Sequence, residues 1–273
     1  MATPIGTASD ISLRALDLLS NAKILVAEDT RVLKKLMALH GIELKGRKLL
    51  SYYEHNAEYQ RKKIIKLIQA NNSVALVSDA GTPLVADPGY KLVQEVISND
   101  LTINSVPGAS AFLTALIVSG FSTSSFFFGG FVPVKIKAKQ NFFLKFLDLS
   151  TTLIFYESAK RLIETLTMLE KMCHVGRKIA VCRELTKKYE QVKRGEIKFV
   201  AEYFSNNKII KGEIVIILAP PDVIFPSKSE IDKALRTALE STNFKDAVSI
   251  VTETLNVSRR VVYSRALALK GRN

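Results

Sequence analysis

An α/β fold with its binding loops on one rim follows from two features of the sequence. Short β-rich runs alternate with amphipathic stretches over most of the chain, and at least three of the runs end in a polar or glycine-rich loop that opens a helix, at 28–31, 78–90 and 107–110. Such alternation favours a mostly parallel sheet, and open α/β sheets bind ligands outside the carboxyl ends of their strands. With 273 residues, 47% of them hydrophobic, the chain can bury two modest cores or one large one.

Taken in order, Pro4 to Gly6 is a turn, and Ser9 or Asp10 can cap a helix over 11–20 with Leu13, Leu16 and Leu19 on one face. A strand at 23–27 delivers Glu28, Asp29, Thr30 and Arg31. The next helix, with Leu33, Leu36 and Met37 inward, stops at Gly41. A short strand at 48–52 leads through Tyr53-Glu54-His55-Asn56 into a helix over 57–70. The apolar run 73–77 then opens the longest loop, Ser78-Asp79-Ala80-Gly81-Thr82 through Asp87-Pro88-Gly89-Tyr90, which reads as a ligand loop or as a plain strand-to-helix turn. A helix carrying Leu92, Val93, Val96 and Ile97 follows, then a strand at 101–106. Pro107-Gly108-Ala109-Ser110 opens a helix that should bury Phe112, Leu113, Leu116 and Ile117.

The Phe-rich strand 125–131 ends in the weakly periodic stretch 132–139, which places a first domain boundary after 131. Beyond it come a helix near 139–148, a strand at 151–156 ending in Glu157-Ser158, and a helix with Leu162, Ile163, Leu166 and Leu169. The strand 178–182 delivers Arg183 to Lys188; 190–194, a helix over 196–205 and the strand 213–218 complete an α/β half with antiparallel pairs. Pro220, Pro221 and Pro226 mark a second linker. Helices near 229–241, 244–255 and 258–269, turning at 241–243 and at Asn256-Val257, read as a small helix-turn-helix bundle. The expected domains are therefore 1–131, 132–221 and 222–273.

Charge points to a polyanionic partner: 39 Lys and Arg oppose 26 Asp and Glu, a net charge of +13. A charge that merely coats the surface is the alternative. No apolar run of about 18 residues and no signal-peptide start occurs, which points to the cytoplasm. Cys173 and Cys182 sit in apolar surroundings and read as core. No glycine-rich dinucleotide fingerprint, phosphate loop or nucleophile elbow is present. His40, His55 and His174 are scattered without metal-ligand spacing, so no metal is expected.

Seven motifs carry the next step: Ala2-Thr3-Pro4-Ile5-Gly6 with Asp10, Ala27 to Arg31, Glu54-His55-Asn56, the 78–90 loop, Pro107-Gly108, Thr151 to Ser158, and Arg183 to Lys187. In that order they resemble the ribosomal RNA cytidine 2′-O-methyltransferase branch of the tetrapyrrole methylase superfamily. The resemblance covers nearly the whole chain, the helical tail included. It implies a two-domain fold with S-adenosylmethionine in the cleft between domains, methylation of a ribose 2′-hydroxyl in 16S (small-subunit) ribosomal RNA, and a homodimer. One departure stands out. The family has an apolar first strand just before the first motif, and here that motif begins at residue 2. Either the start is placed too late or the chain lacks that strand; in a parallel sheet such a strand could be central, which bears on stability and cofactor affinity.

A sulfonium is cationic, so Asp10, Asp79 and Asp87 with open backbone at Gly6, Ala80, Gly81, Thr82, Pro107 and Gly108 suit the cofactor better than a lysine would, with Tyr156 beside them. Each carboxylate can also be read as a turn or cap residue. Methyl transfer from a positioned donor needs a base near a weakly acidic hydroxyl. Glu28, Asp29 and His55 are candidates, with Arg31 placing a phosphate. The cluster 28–31 reads equally as an ion-pair group at a strand end. Lys135, Lys137, Lys139, Arg183, Lys187, Lys188, Lys193 and Arg194 are the expected RNA contacts, joined by Arg259, Arg260 and Arg265 of the tail, where cations outnumber acids nine to five over 228–273. A tetrapyrrole methylase and a non-catalytic RNA-binding or assembly protein are the rival readings. The basic charge and the tail disfavour the first, and cofactor binding separates the second from both enzymes.

Overall fold

The computed structural model describes residues 1–206, 209–221, 228–255 and 257–270. Pro226 and Asn256, expected in a linker and a turn, lie outside them. Met1–Pro221 form one compact unit and Asp222–Asn273 a second.

In the first unit β1 (Ile24–Ala27), β2 (Lys48–Ser51) and β3 (Val74–Val77) make a parallel sheet in the order β2-β1-β3. All four residues of β1 are buried, as in a central parallel strand covered on both faces. Leu25 and Ala27 pack with Leu19 of α1 (Leu13–Asn21) and with Leu33 and Met37 of α2 (Thr30–Leu39). Ile24 and Val26 pack with Ile64 of α3 (Ala57–Gln69) and with Leu92 and Val96 of α4 (Tyr90–Ser98).

Three local expectations need correction. Helix α1 is capped by Ser12, whose hydroxyl accepts from the Ala15 amide at 3.2 Å, and not by Ser9 or Asp10. That start puts Ala15 and Leu19 on the buried stripe and leaves Leu13 85% exposed. Residues 101–106 join no strand. Their partner is the start of the chain: the Ala2 amide donates to Val106 O at 3.1 Å, while the Met1 ammonium donates to Leu76 O of β3 at 2.6 Å. Isolated bonds of this kind do not make a ladder. Helix α5 (Ala111–Ser119) buries Ala115, Leu116 and Ser119 and exposes Ile117, because a helix apolar on every side carries no periodic signal of its inner face.

The second sheet has the order β4-β5-β8-β6-β7, from β4 (Phe126–Phe131), β5 (Thr152–Ser158), β6 (Lys178–Arg183), β7 (Gln191–Glu196) and β8 (Glu213–Leu218). Only β4 and β5 run parallel, and the other pairs are antiparallel. Helices α6 (Ile136–Phe146), α7 (Leu162–Met172) and α8 (Ile197–Ser205) cover one face through Phe143, Leu166, Val200 and Phe204. The other face packs Ile154, Cys182 and Ile217 on Leu116 of α5, which joins the two halves of the unit. Burial pushes the Cys182 thiol up to about 12, which suits a core residue.

The second unit packs α9 (Lys228–Ser241), α10 (Phe244–Leu255) and α11 (Arg259–Lys270) around Leu235, Val248, Val251 and Val262. Among the described residues no helix is long and apolar enough to cross a membrane.

Candidate active site

Sheet register assembles the rim. Ala27 of β1 pairs with Val77 of β3, so Asp29 and Asp79, two residues further along each strand, come side by side. The Asp29 amide donates to Asp79 Oδ1 at 2.9 Å. The loop after β3 is closed by its own polar groups: Ser78 Oγ donates to Asp87 Oδ2 at 2.5 Å. Gly81, with φ of +78°, exchanges backbone bonds of 2.9 and 3.0 Å with Thr3. Thr82 Oγ1 donates to Ala109 O at 3.1 Å, which ties in the 107–110 turn. Leu84 and Ala86 hold φ of +68° and +64°. Left-handed backbone costs an L-residue about 1–2 kcal/mol, and strain of this kind clusters at binding sites.

These loops face a cavity of about 440 Å³ within the first unit, lined by the 79–82 backbone, Asp87 and Glu28 together with the ends of the second sheet. Tyr156 and Ser158 come from the end of β5, and Gly212, Glu213 and Ile214 from the start of β8. Antiparallel pairing explains the juxtaposition, since Ser158 lies opposite Glu213. The β8 residues were missed from sequence because a strand's first residues come to the functional rim only where that strand runs antiparallel to its neighbour. Ile5, Leu185 and Phe131 also line the cavity; the first two lie within the motifs of the resemblance without being singled out there, and Phe131 carried no signal beyond its hydrophobicity.

The electrostatics are one-sided. Among the described residues the cavity lining includes five acidic residues, Glu28, Asp79, Asp87, Glu157 and Glu213, and no Lys, Arg or His. Two are neutralised from behind: Glu157 by Arg161 at 2.6 Å and Lys139 at 3.8 Å, Glu213 by Lys187 at 3.0 Å. Among the described residues Glu28, Asp79 and Asp87 have no such cation, and all three are pushed above the usual carboxylate range. Burial is the largest cause for each; for Glu28 the neighbouring charges of Asp79, Asp87 and Asp29 add to it. Burial also raises the Tyr156 phenol to about 12, so it stays neutral.

Of the expected cofactor residues, the structure brings together Asp79, Ala80, Gly81, Thr82, Asp87 and Tyr156. Gly6, Asp10, Pro107 and Gly108 do not line the cavity. Gly6 is instead a point of close approach, where a Cβ would stand 2.5 Å from Thr186 Oγ1 and 2.6 Å from Lys187 Cγ. Gly108 backs onto Ala2 in the same way, at 2.9 Å. Asp10 ends a short exposed 3₁₀ turn.

Of the expected catalytic residues only Glu28 lines the cavity. Asp29 caps α2 and is bound by the Arg31 guanidinium at 2.6 to 3.2 Å, which holds its carboxyl down at about 2. The ion-pair reading of that pair is therefore the one the geometry displays. His55 is exposed, its ring edge-on to Tyr53 at 6.5 Å.

Among the expected RNA contacts, Lys139 requires correction. It is fully buried, bonded to Glu164 Oε1 at 2.7 Å and Thr165 Oγ1 at 2.9 Å, because α6 starts at Ile136 and turns position 139 onto β5. Arg183 donates to Gln191 Oε1 at 3.1 Å, Lys187 bridges Glu184 and Glu213, and Arg194 donates to Val118 O and Ser119 O at the end of α5. Lys193 lies over the Tyr203 ring at 4.3 Å. Lys135, Lys137 and Lys188 are exposed. In the second unit Arg265 pairs with Asp232, whereas Arg259 and Arg260 are exposed.

The family profile "Tetrapyrrole (Corrin/Porphyrin) Methylases" matches residues 2–201, and the profile "RsmI C-terminal HTH domain" matches residues 226–270. The chain belongs to the tetrapyrrole methylase family. Its relatives include proteins named ribosomal RNA small subunit methyltransferase I. That of Mesorhizobium japonicum is 38% identical over 99% of this chain and 91% of its own length. That of Rickettsia prowazekii is 46% identical over 80% of this chain and 76% of its own length. Among solved structures, diphthine synthase matches with a TM-score of 0.61 at 14% identity, over 79% of this chain and 87% of that one. Uroporphyrin-III C-methyltransferase from Thermus thermophilus, complexed with S-adenosyl homocysteine, matches with a TM-score of 0.54 at 15% identity, over 78% and 93%. These structures share the fold of this chain.

Proposed function

We propose that this chain is an S-adenosylmethionine-dependent methyltransferase acting on the 2′-hydroxyl of a cytidine ribose in small-subunit (16S) ribosomal RNA. The observation that carries the reading is the cavity wall of Glu28, Asp79 and Asp87, half-buried together without a cation among the described residues. Such a wall repels a phosphate and favours a ligand bearing positive charge. The family relatives named as rRNA methyltransferases support the substrate class. S-adenosylmethionine supplies an electrophilic methyl group on a cationic sulfur.

The residues then divide the work. The cavity-lining loop Ala80 to Thr82 and the carboxylates of Asp79 and Asp87 hold the cationic ligand. The apolar lining of Ile5, Ile214 and Val215 excludes water, which strengthens every charge interaction inside. Glu28 takes the proton of the ribose hydroxyl, because burial and the neighbouring carboxylates raise its affinity for protons above that of an ordinary carboxylate. Asp29 is too acidic for that task, and Arg31, 88% exposed beside it, is placed to meet a phosphate.

Lys135, Lys137 and Lys188 with Arg259 and Arg260 hold the RNA backbone. The separate sheets of the first unit support a division into two α/β halves, but β4 (Phe126–Phe131) pairs with β5 in the second sheet, so the boundary falls before residue 126 and not at 131/132. A homodimer is supported by the exposed Leu113 and Ile117, one turn apart on α5, and a cytoplasmic site of action by the substrate. Calorimetry with S-adenosylmethionine, followed by methyl incorporation into undermethylated small subunits and nucleoside analysis, tests the reading. Binding with a methyl on ribose is the expected result. Binding without transfer overturns the enzyme reading, and failure to bind overturns the cofactor as well.

A further inference from the structure

A break in the pleat of β4 aims one aromatic ring at the cavity. Along this strand Phe126, Phe127 and Phe128 pair with Thr152, Leu153 and Ile154 of β5, but Tyr156 pairs with Phe131, one residue later than regular pairing requires. The extra residue is absorbed at Gly129-Gly130. A Cβ on Gly129 would lie 2.7 Å from the Phe155 ring, and Gly130 holds φ of +69°, so the bulge demands both glycines. Without it residue 131 would share the face of Phe127, which packs into the core beneath α6 to α8. With it Phe131 joins Phe128 and Tyr156 on the opposite face and lines the cavity.

The ring is both held and open. It meets the Tyr156 ring edge-on at 5.2 Å. The next residue, Val132, is buried and donates to Tyr156 O at 3.0 Å, while Arg161 donates to Val132 O at 3.2 Å. Yet Phe131 is 60% exposed. The surface that continues from it, Val134-Lys135-Ile136-Lys137, is exposed, apolar and basic in alternation. An anionic strand meets repulsion at the acidic wall and attraction at this rim.

We infer that Phe131 is the stacking platform for the target nucleobase, an unpaired pyrimidine of single-stranded RNA whose flanking phosphates lie on Lys135 and Lys137. Single-stranded RNA is bound by this combination of an aromatic face and adjacent cations. The inference rests on the proposed methylation, because the ribose carried by the stacked base is the one brought to Glu28.

The test uses Phe131→Leu and Phe131→Trp in the full chain, with a short single-stranded oligoribonucleotide carrying a fluorescent cytidine analogue and with S-adenosylmethionine in separate titrations. Stacking quenches the analogue. Wild type and Phe131→Trp are expected to quench it. Phe131→Leu should lose the quenching and bind the oligonucleotide about 5- to 150-fold more weakly, the range of one base–aromatic stack, with S-adenosylmethionine affinity within twofold of wild type. Quenching that survives Phe131→Leu, or a wild type that does not quench, overturns the platform. A loss confined to S-adenosylmethionine binding overturns it too and makes Phe131 a wall for the cofactor. Quenching by wild type without methyl transfer to ribosomal RNA leaves the platform standing and overturns the methylation reading.

Discussion

Glu28 stands at the end of β1 among three other carboxylates, and burial, with their charges added, raises its proton affinity. A base must be deprotonated to act, so methyl transfer should rise with pH through this raised value. Glu28→Gln is expected to lower the rate about 10²- to 10⁴-fold and to abolish the acid limb of the pH–rate profile, while S-adenosylmethionine still binds. An unchanged limb would assign the base elsewhere. The same residue has a predictable effect on stability. A carboxylate whose folded pKa is raised binds its proton more tightly in the native state, so stability falls as pH rises from the ordinary carboxylate value through the raised one. Glu28→Gln should therefore melt higher than wild type at neutral pH and converge with it in acid, which thermal scans across pH would show. Removing a site charge that raises stability and lowers activity is the trade expected of a functional group.

At the scale of elements, α6 and β5 are locked by ions rather than by apolar packing alone. Lys139 is buried against Glu157, Thr165 and Glu164, and Glu157 also accepts from the Ser158 amide at 2.7 Å, next to the cavity. Breaking a buried pair from one side costs about 3–5 kcal/mol. Lys139→Met should lose stability on that scale in urea titrations, and Lys139→Met with Glu157→Gln should recover part of it. The RNA affinity of the folded single variant should not change, because this ammonium reaches no solvent. Additive losses in the pair would show that the two groups are not coupled. The spacing of Lys135, Lys137 and Lys139 in sequence suggests one basic strip. Helix α6 divides it, with the first two outside and the third in the core.

For the whole molecule, the net charge of +13 is a statement about partners. Each phosphate neutralised on a single strand adds about 0.7 to the slope of log affinity against log salt. Binding to small-subunit RNA should therefore weaken steeply with salt. Lys135→Gln with Lys137→Gln should flatten the slope by about 1.4 in total, and Arg259→Gln with Arg260→Gln by a similar amount. Arg194→Gln and Lys187→Gln should leave it almost unchanged, since their charges are spent on α5 and on Glu184 and Glu213. A flat salt dependence in the wild type would remove the basic surface from the account.

What the sequence determined by itself is local and ordered. Strand and helix periods placed most elements within a few residues, motif order carried the family resemblance, and Asp79 to Thr82 with Asp87 stood out because theirs was one of three similar strand-end loops expected on a shared rim. What only the tertiary structure decided depends on register and on direction. Asp29 meets Asp79 because β1 and β3 pair in parallel. Gly212 to Ile214 reach the cavity because β8 runs antiparallel to β5. Phe131 faces the cavity and not the core because a bulge shifts its parity by one. Lys139 is buried because its helix begins earlier than its periodicity shows. Pairing partners far apart in the chain leave no periodic trace in either segment, and that is the physical reason the first three facts could not be read from the residues alone; the fourth turns on a helix start that the weak periodicity of 132–139 does not mark.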